Sequence, residues 1–233
     1  MPESLKQRRM RLQTGGDMLV LGYDPGGVGA GGACVVAAHG GEVQLLQVGT
    51  YDSVDEVLAL FCECAGPRGV VAAGIDALLS WATRASGWRE VDRYLRRTYP
   101  EVANSVLTSN TIAGSMAVQG MGMALRLRQV SPEIQLNETH PKVLYFALSG
   151  KKYSYARSMV DWLSERVDLA GKQIRNEHEW DAVFSAWATV QGMQPNSGWQ
   201  DLMDLPDDLL FPAGQVTYRW PVSLTSGARH SIP

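Results

Sequence analysis

The chain has 233 residues, 45% of them apolar and 19% charged, and its formal net charge is −3. These values are typical of a water-soluble globular protein with a sizeable core, and no apolar run approaches the roughly 20 residues of a membrane span. Proteins that grip a long duplex usually carry a basic surface, so the charge favours a local nucleic-acid contact or a small substrate over a long duplex.

The number and spacing of the cysteines indicate the redox state of the cellular compartment. Three cysteines are present: Cys34, Cys62 and Cys64. The odd count and the Cys-x-Cys spacing fit neither a disulfide framework nor a zinc ribbon. Free thiols are typical of a reducing compartment, so we expect a cytoplasmic protein.

The first half of the chain alternates apolar runs with turn signals. Residues 18–23, 33–38 and 43–48 are apolar runs joined by short turns, which predicts an antiparallel meander. A capping box at residues 53–56 opens a helix that stops at Gly66-Pro67. The apolar run 69–75 follows, and a strand–helix–strand crossover of this kind predicts a parallel pair of strands.

The second half is mainly helical by pattern. We predict helices at 88–97, 111–128, 154–167 and 177–191, with a short strand at 134–136. After Pro195 the pattern changes to loops and short strand-like pieces. We therefore expect one domain over residues 17–193 and a C-terminal extension, 194–233, packed on or beside it. Residues 1–16 are basic, and we expect a disordered leader there, with a nucleic-acid-binding arm as the alternative.

Carboxylates follow three of the predicted strands. Asp24 comes directly after 19–23, Asp76 directly after 70–75, and Glu138 after 134–137. The carboxyl ends of strands are where α/β sheets place their ligand sites, and neighbouring strands lie about 4.8 Å apart. A fourth acid, Asp181, lies inside a predicted helix between apolar residues, an unusual position for a purely solvated side chain.

Acids gathered from distant parts of the chain repel one another unless protons or cations neutralise them. Oxygen ligands without cysteine favour Mg²⁺ or Mn²⁺ over zinc. Two such ions can activate a water and stabilise the leaving oxygen of a phosphodiester. Each acid also has a structural explanation: Asp24 could begin a turn, Asp76 could cap a segment, Glu138 could bond a loop, and Asp181 could pair with Arg175 or His178.

Four segments together resemble the successive motifs of the domain-of-unknown-function family 429 (DUF429). They are Leu21-Gly22-Tyr23-Asp24-Pro25-Gly26-Gly27, Gly74-Ile75-Asp76-Ala77, Asn137-Glu138-Thr139-His140-Pro141 and Trp180-Asp181-Ala182-Val183-Phe184. The helix at 88–96 resembles the family's Arg/Asp helix, and the likeness covers roughly residues 18 to 192. One departure is Leu78, where the family often has proline. The first motif is also similar to the opening strand of Holliday-junction resolvases.

The resemblance implies an α/β protein of the RNase H-like fold, with a five-stranded mixed sheet flanked by helices. It implies that Asp24, Asp76, Glu138 and Asp181 are metal ligands and catalytic residues. It also implies a nuclease, although a fold alone does not determine activity. Two bound Mg²⁺ or Mn²⁺ ions are the expected cofactors.

Several further residues are candidates for binding substrate. Lys151, Lys152 and Arg157 follow the third motif and could hold a phosphate. Arg89 lies three residues before Asp92 on a predicted helix, where it could line the cleft or form a structural ion pair. His178 could relay a proton, or it could be a polar surface residue.

Three functions compete. The first is a metal-dependent nuclease or phosphodiesterase acting on short or single-stranded nucleic acid. The second is a catalytically silent RNase H-like module that binds nucleic acid or a protein partner. The third is an actin-like phosphotransferase, which a chain of 233 residues without a second Asp-Gly phosphate loop disfavours.

Overall fold

The computed structural model describes residues 18–27, 29–65, 71–108 and 115–222. The predicted basic leader, residues 69–70 of the fourth predicted strand and residues 111–114 of the predicted helix lie outside the described residues. The predicted domain boundaries stay a prediction.

A five-stranded mixed sheet forms the centre of the fold. Its strands are β1 (Met18–Asp24), β2 (Gly31–His39), β3 (Glu42–Tyr51), β4 (Ala72–Ile75) and β6 (Gln135–Glu138). They lie side by side in the order β3-β2-β1-β4-β6. β2 is antiparallel to β1 and β3, whereas β1, β4 and β6 are parallel. This is the strand arrangement of the RNase H-like fold, so the expected fold class is confirmed.

Six helices surround the sheet in the described part of the chain. They are α1 (Val54–Ala65), α2 (Glu90–Thr98), α3 (Ser115–Val130), α4 (Pro141–Ser149), α5 (Arg157–Ser164) and α6 (Glu177–Met193). Side chains of β1 alternate between two cores: Val20 packs with Trp180 of α6, while Leu21 packs with Leu58 of α1 and Met123 of α3. Both faces of the sheet are therefore covered, which explains the continuous apolar runs in its strands.

Helix α6 lies very close to the sheet because glycines face it. A Cβ atom on Gly22 would lie 1.9 Å from the Ala182 carbonyl oxygen, and one on Gly32 would lie 1.9 Å from the His178 carbonyl oxygen. On β4, a Cβ on Gly74 would lie 2.3 Å from the Ser185 carbonyl oxygen. Three neighbouring strands thus lack side chains where the helix crosses them, which brings the helix backbone down to the sheet.

Smaller elements complete the described C-terminal part. They are the strands β5 (Trp81–Ala82), β7 (Trp199–Asp201), β8 (Leu209–Leu210) and β9 (Arg219–Pro221) and the 3₁₀ helices Pro100–Ser105 and Leu202–Asp204. β5 pairs with β8 and β7 with β9. Trp220 is fully buried and its indole N–H donates to the Tyr99 hydroxyl at 3.1 Å. Described residues after α6 thus contribute to the core.

The sequence pattern placed most elements within a few residues of their observed bounds. The helix predicted at 154–167 is shorter, Arg157–Ser164, and the strand at 134–136 lies at Gln135–Glu138. Helix α4 was not predicted. Within the described residues, no helix is long and apolar enough to cross a membrane.

Candidate metal centre

Asp24 and Asp76 lie side by side at the carboxyl ends of β1 and β4. The two strands are parallel, with Tyr23 opposite Ile75. The Asp76 amide continues the ladder by donating to the Tyr23 carbonyl oxygen at 2.9 Å. The next residue of each strand is the aspartate, so both carboxylates lie on the same face of the sheet, the face that α6 covers.

Asp181 completes the cluster from the first turns of α6. One carboxylate oxygen from each of Asp24, Asp76 and Asp181 lies within 4.8 Å of the others. Asp24 and Asp181 are each only 4% exposed, and Asp76 is partly exposed. The close approach of α6 at Gly22 and Gly32 places Asp181 at this edge of the sheet.

The cluster holds more negative charge than the protein neutralises. Desolvation raises the pKa of Asp181 well above its ordinary range, and the charges of Asp76 and Asp24 raise it further. Desolvation, and after it the charge of Asp24, also raises the pKa of Asp76 well above its ordinary range. At Asp24 desolvation again raises the pKa, while the hydrogen bond from His178 lowers it. Such a site is stable only when it binds protons or cations.

The donor set fits a divalent cation. Oδ1 of Asp181 is buried without a hydrogen-bond partner among the described residues, and so is the hydroxyl of Tyr153. The two groups are close enough that each shifts the pKa of the other. An orphaned carboxylate oxygen among carboxylates is a ligand arrangement that Mg²⁺ or Mn²⁺ would satisfy.

Two cationic or protonatable groups border the aspartates. His178 Nδ1 lies 2.7 Å from Asp24 Oδ2, and this hydrogen bond is the largest cause of a raised His178 pKa. The histidine side chain is 31% exposed, so it also reaches solvent. Lys142, at the start of α4, is exposed, and its charge lowers the pKa of all three aspartates. Its ammonium lies 5.4 Å from the centre of the Tyr153 ring.

Glu138, the fourth predicted ligand, is held by an arginine instead. Arg89 is fully buried and donates to both Glu138 oxygens, at 2.8 Å and 2.7 Å. The same guanidinium donates to both Asp92 oxygens and to the Ser80 hydroxyl, and Leu79 N–H donates to Glu138. The structure therefore brings three of the four predicted acids together and places Glu138 beside them in an ion-pair network.

Strand register explains the separate position of Glu138. It lies opposite Ile75 on β4, one residue before Asp76. Because successive strand residues point to opposite faces, Glu138 shares the face of Ile75 and not that of Asp76. A metal role for Glu138 stays a prediction, and the structure provides its present partner in Arg89.

The predicted substrate-binding residues are spread over the surface and the core. Lys151 and Lys152 are exposed in the turn after α4. Arg157 is 85% exposed and its Nε donates to Asp161 Oδ1 at 2.9 Å. Arg89 forms the structural ion pair that the sequence left open. Roles of these residues in binding substrate stay predictions.

Lys142 and Tyr153 were missed by the sequence argument. Lys142 directly follows the Asn-Glu-Thr-His-Pro motif, and that position was a usable signal. Tyr153 lies in a loop between two helices, where no periodicity marks it.

Comparison with known proteins gives a family and a fold. A model of the family described as "Protein of unknown function (DUF429)" matches residues 22–191. No curated protein matches the chain. Among solved structures, Thermus thermophilus RuvC in complex with a Holliday-junction substrate has 17% identity and a TM-score of 0.45, over 74% of this chain and 93% of that one.

A second Thermus thermophilus RuvC structure has 16% identity and a TM-score of 0.46, over 76% of this chain and 98% of that one. Likenesses at this level add no argument about function. The family match spans all three clustered aspartates and most of the sheet. The chain belongs to the DUF429 family.

Proposed function

We propose that this protein is a divalent-metal-dependent nuclease that hydrolyses phosphodiester bonds in short or single-stranded nucleic acid. The observation that carries the proposal is the cluster of Asp24, Asp76 and Asp181, whose oxygens lie within 4.8 Å of one another at a sheet edge. The cluster combines carboxylates, desolvation and an orphaned oxygen on Asp181. Proteins rarely bury such charge without a cation to neutralise it.

The three aspartates would hold the metal, with Mg²⁺ or Mn²⁺ as the expected ions and two as the expected number. Bound divalent ions supply Lewis-acid activation of a water and stabilisation of a leaving phosphate oxygen. Asp181 is fixed by the helix and Asp24 and Asp76 by neighbouring strands, so the ligands are preorganised on rigid elements.

Two side chains near the aspartates are placed to assist substrate binding and proton transfer. Lys142 brings a positive charge to the acid cluster, which reduces repulsion between the carboxylates and a phosphate. His178 hydrogen-bonds Asp24 through Nδ1, which leaves Nε2 as the ring atom to exchange a proton with water or the leaving oxygen.

The net charge of −3 supports a small substrate contact over a long duplex. A metal ion held by the aspartates and the ammonium of Lys142 would together bind one phosphate. Binding of that kind does not require an extended basic groove. We therefore expect single-stranded or short substrates to be preferred.

A cleavage panel tests the proposal. Wild type is incubated with single- and double-stranded DNA and RNA in Mg²⁺, in Mn²⁺ and in chelator. We expect cleavage only with metal, and a loss of more than about 100-fold in Asp181→Asn, since even outer partners of metal ligands contribute about 10–100-fold.

Asp161→Asn is the matched control, because Asp161 lies on the surface of α5 with a side chain 58% exposed. It should retain wild-type cleavage. Cleavage by Asp181→Asn at the wild-type rate would contradict the proposal. Metal binding without cleavage of any substrate would favour a binding module instead.

A further inference from the structure

A cavity of about 300 Å³ opens directly beside the aspartate cluster. Asp76 of the cluster lines the cavity, and so does Lys142, whose charge acts on Asp76. This volume is at the lower end of the range for small-molecule sites, about 300–1,000 Å³. The cavity is therefore large enough for one ring system.

Part of the cavity lining is apolar. Trp81 is partly exposed there, and Leu107 and Met116 are 53% and 52% exposed although they are large and hydrophobic. Apolar side chains left in contact with solvent at a concave site favour a ligand with an apolar face. A tryptophan ring in such a wall suits a planar aromatic ligand.

One residue of the cavity lining has a polar atom without a hydrogen-bond partner among the described residues. His140 lines the cavity, and its Nε2 lies 2.9 Å from the Ser105 carbonyl oxygen. A carbonyl can only accept, so Nε2 carries a proton and a neutral ring presents Nδ1 as an acceptor. Nδ1 is shielded from solvent and has no hydrogen-bond partner among the described residues, although the residue as a whole is partly exposed. Because Nδ1 is shielded, a ligand in the cavity reaches it only if the ring shifts.

We propose that this cavity receives one unpaired nucleobase of the substrate, whose adjoining phosphate lies at Asp76 and Lys142. This inference rests on the proposed nuclease function and names the substrate class of the same site. The base packs against the apolar residues of the cavity lining, among them Trp81.

If a nucleobase must enter the cavity, a duplex is not the expected substrate. A paired and stacked base cannot enter a concave site beside the aspartates, so the nucleotide must be single-stranded or turned out of the helix. The cavity then selects an unpaired nucleotide, while the neighbouring carboxylates and their metal act on its phosphate.

Filling the cavity is the sharpest test. Ala117 lines the cavity and lies on α3, outside the aspartate cluster. Ala117→Trp places an indole into the cavity and leaves the metal ligands unchanged. Val118→Trp is the matched control, because Val118 is the next residue, 72% exposed and not part of the cavity wall.

The first measurement needs no cleavage. Nucleoside 5′-monophosphates and base-free ribose 5-phosphate are titrated by calorimetry into each protein at millimolar concentration. We expect wild type and Val118→Trp to bind the nucleotides about tenfold or more tightly than the sugar phosphate, the gain from one stacked base. Ala117→Trp should lose that gain while binding Mn²⁺ and melting like wild type.

Equal affinity for nucleotide and sugar phosphate in wild type would overturn the proposal, as would no nucleotide binding at all. A base-dependent gain that survives in a folded Ala117→Trp would overturn it too. Because these titrations do not depend on turnover, they separate failure of the base site from failure of the nuclease function.

A second readout applies to any oligonucleotide that wild type cleaves. A single abasic nucleotide is moved along the strand, one position at a time. In wild type and Val118→Trp, we expect the cleavage rate to fall about tenfold when the abasic nucleotide occupies one position next to the scissile phosphate. We expect no such fall in Ala117→Trp. Cleavage that is equally sensitive at every position, or at none, would contradict a single base site.

Discussion

At the scale of single residues, the site depends on like charges held close together. Asp24, Asp76 and Asp181 lie on three elements, yet their oxygens gather within 4.8 Å. Each carboxylate loses solvation on folding, which raises its pKa. Without metal, this corner of the protein therefore favours protons over charge.

Metal-free stability should fall as pH rises. A carboxyl whose pKa is raised by folding holds its proton more tightly in the native state, so ionisation above about pH 4 favours unfolding. His178 acts in the same direction, because its pKa is also raised and its contribution is lost as pH rises. We expect the free energy of unfolding in chelator to be lower at pH 8 than at pH 5.

Urea denaturation at the two pH values measures the effect. Saturating Mg²⁺ or Mn²⁺ should remove most of the difference, because a cation that binds only the native state stabilises it. Stability that is higher at pH 8 in chelator would contradict the shifted pKa values.

Arg89 should be a structural residue of large effect. It is fully buried between the carboxylates of Asp92 and Glu138. Arg89→Met leaves both acids buried without a cation, and breaking a buried pair costs about 3–5 kcal/mol. Arg157→Met, which removes an 85% exposed partner of Asp161, should cost less than about 1 kcal/mol.

Urea denaturation of the two variants compares them directly. A loss below about 1 kcal/mol in Arg89→Met would mean that the network contributes little to folding. Loss of metal binding in a folded Arg89→Met would instead show that Glu138 and its arginine support the metal site.

The acids of the site could be selected from the sequence because each follows an apolar run or interrupts an apolar helix. Asp24, Asp76 and Asp181 satisfy that logic, and so does Glu138. The register between strands is missing from this sequence pattern. Glu138 lies opposite Ile75, and successive strand residues point to opposite faces, so its side chain lies on the opposite face from Asp76. Pairing between strands that are distant in sequence is not visible in a single chain pattern.

At the scale of elements, the contact between α6 and the sheet decides the geometry of the site. Gly22, Gly32 and Gly74 let the helix backbone approach three strands. The sequence shows glycines within apolar strands, and two of them lie in the quoted motifs. It does not show which element passes over them, because that depends on tertiary packing.

Gly22→Ala should therefore be severely destabilising. Its methyl group would lie 1.9 Å from the Ala182 carbonyl oxygen, a backbone atom that cannot rotate away. We expect a loss of about 3 kcal/mol or more, at the upper end for overpacking. Gly122→Ala is the control, since a Cβ there meets nothing within 4 Å and alanine favours a helix.

Thermal and urea denaturation of both glycine variants measure this. Gly122→Ala should be unchanged or slightly more stable. A folded Gly22→Ala with wild-type stability would mean that α6 lies farther from the sheet than described, and the position of Asp181 would then be in question.

At the scale of the whole molecule, the order of the motifs along the chain predicted more of the fold than the pattern of any single helix or strand. The strands, the parallel pair and the RNase H-like sheet could be anticipated over residues 18–192. Helix α4 was missed because Val143, Leu144 and Tyr145 form a short apolar run two residues after Pro141, a pattern that also suits a loop. Its first turn carries Lys142, so the missing helix also concealed a residue of the site.

Overall charge and local charge have different meanings in this protein. The net charge of −3 is modest, while three aspartates lie together at one sheet edge beside Lys142. The net charge therefore bears on the length of a nucleic-acid contact, whereas the fold shows where negative charge is concentrated.

The central claim is that the three aspartates bind divalent metal, and calorimetric titration of Mn²⁺ and Mg²⁺ tests it most directly. Wild type is compared with Asp76→Asn and with Asp55→Asn, whose side chain is 77% exposed on α1. We expect wild type and Asp55→Asn to bind alike, and Asp76→Asn to bind at least about 10–100-fold more weakly. Absence of binding to wild type at millimolar metal, or equal binding by Asp76→Asn, would contradict the account.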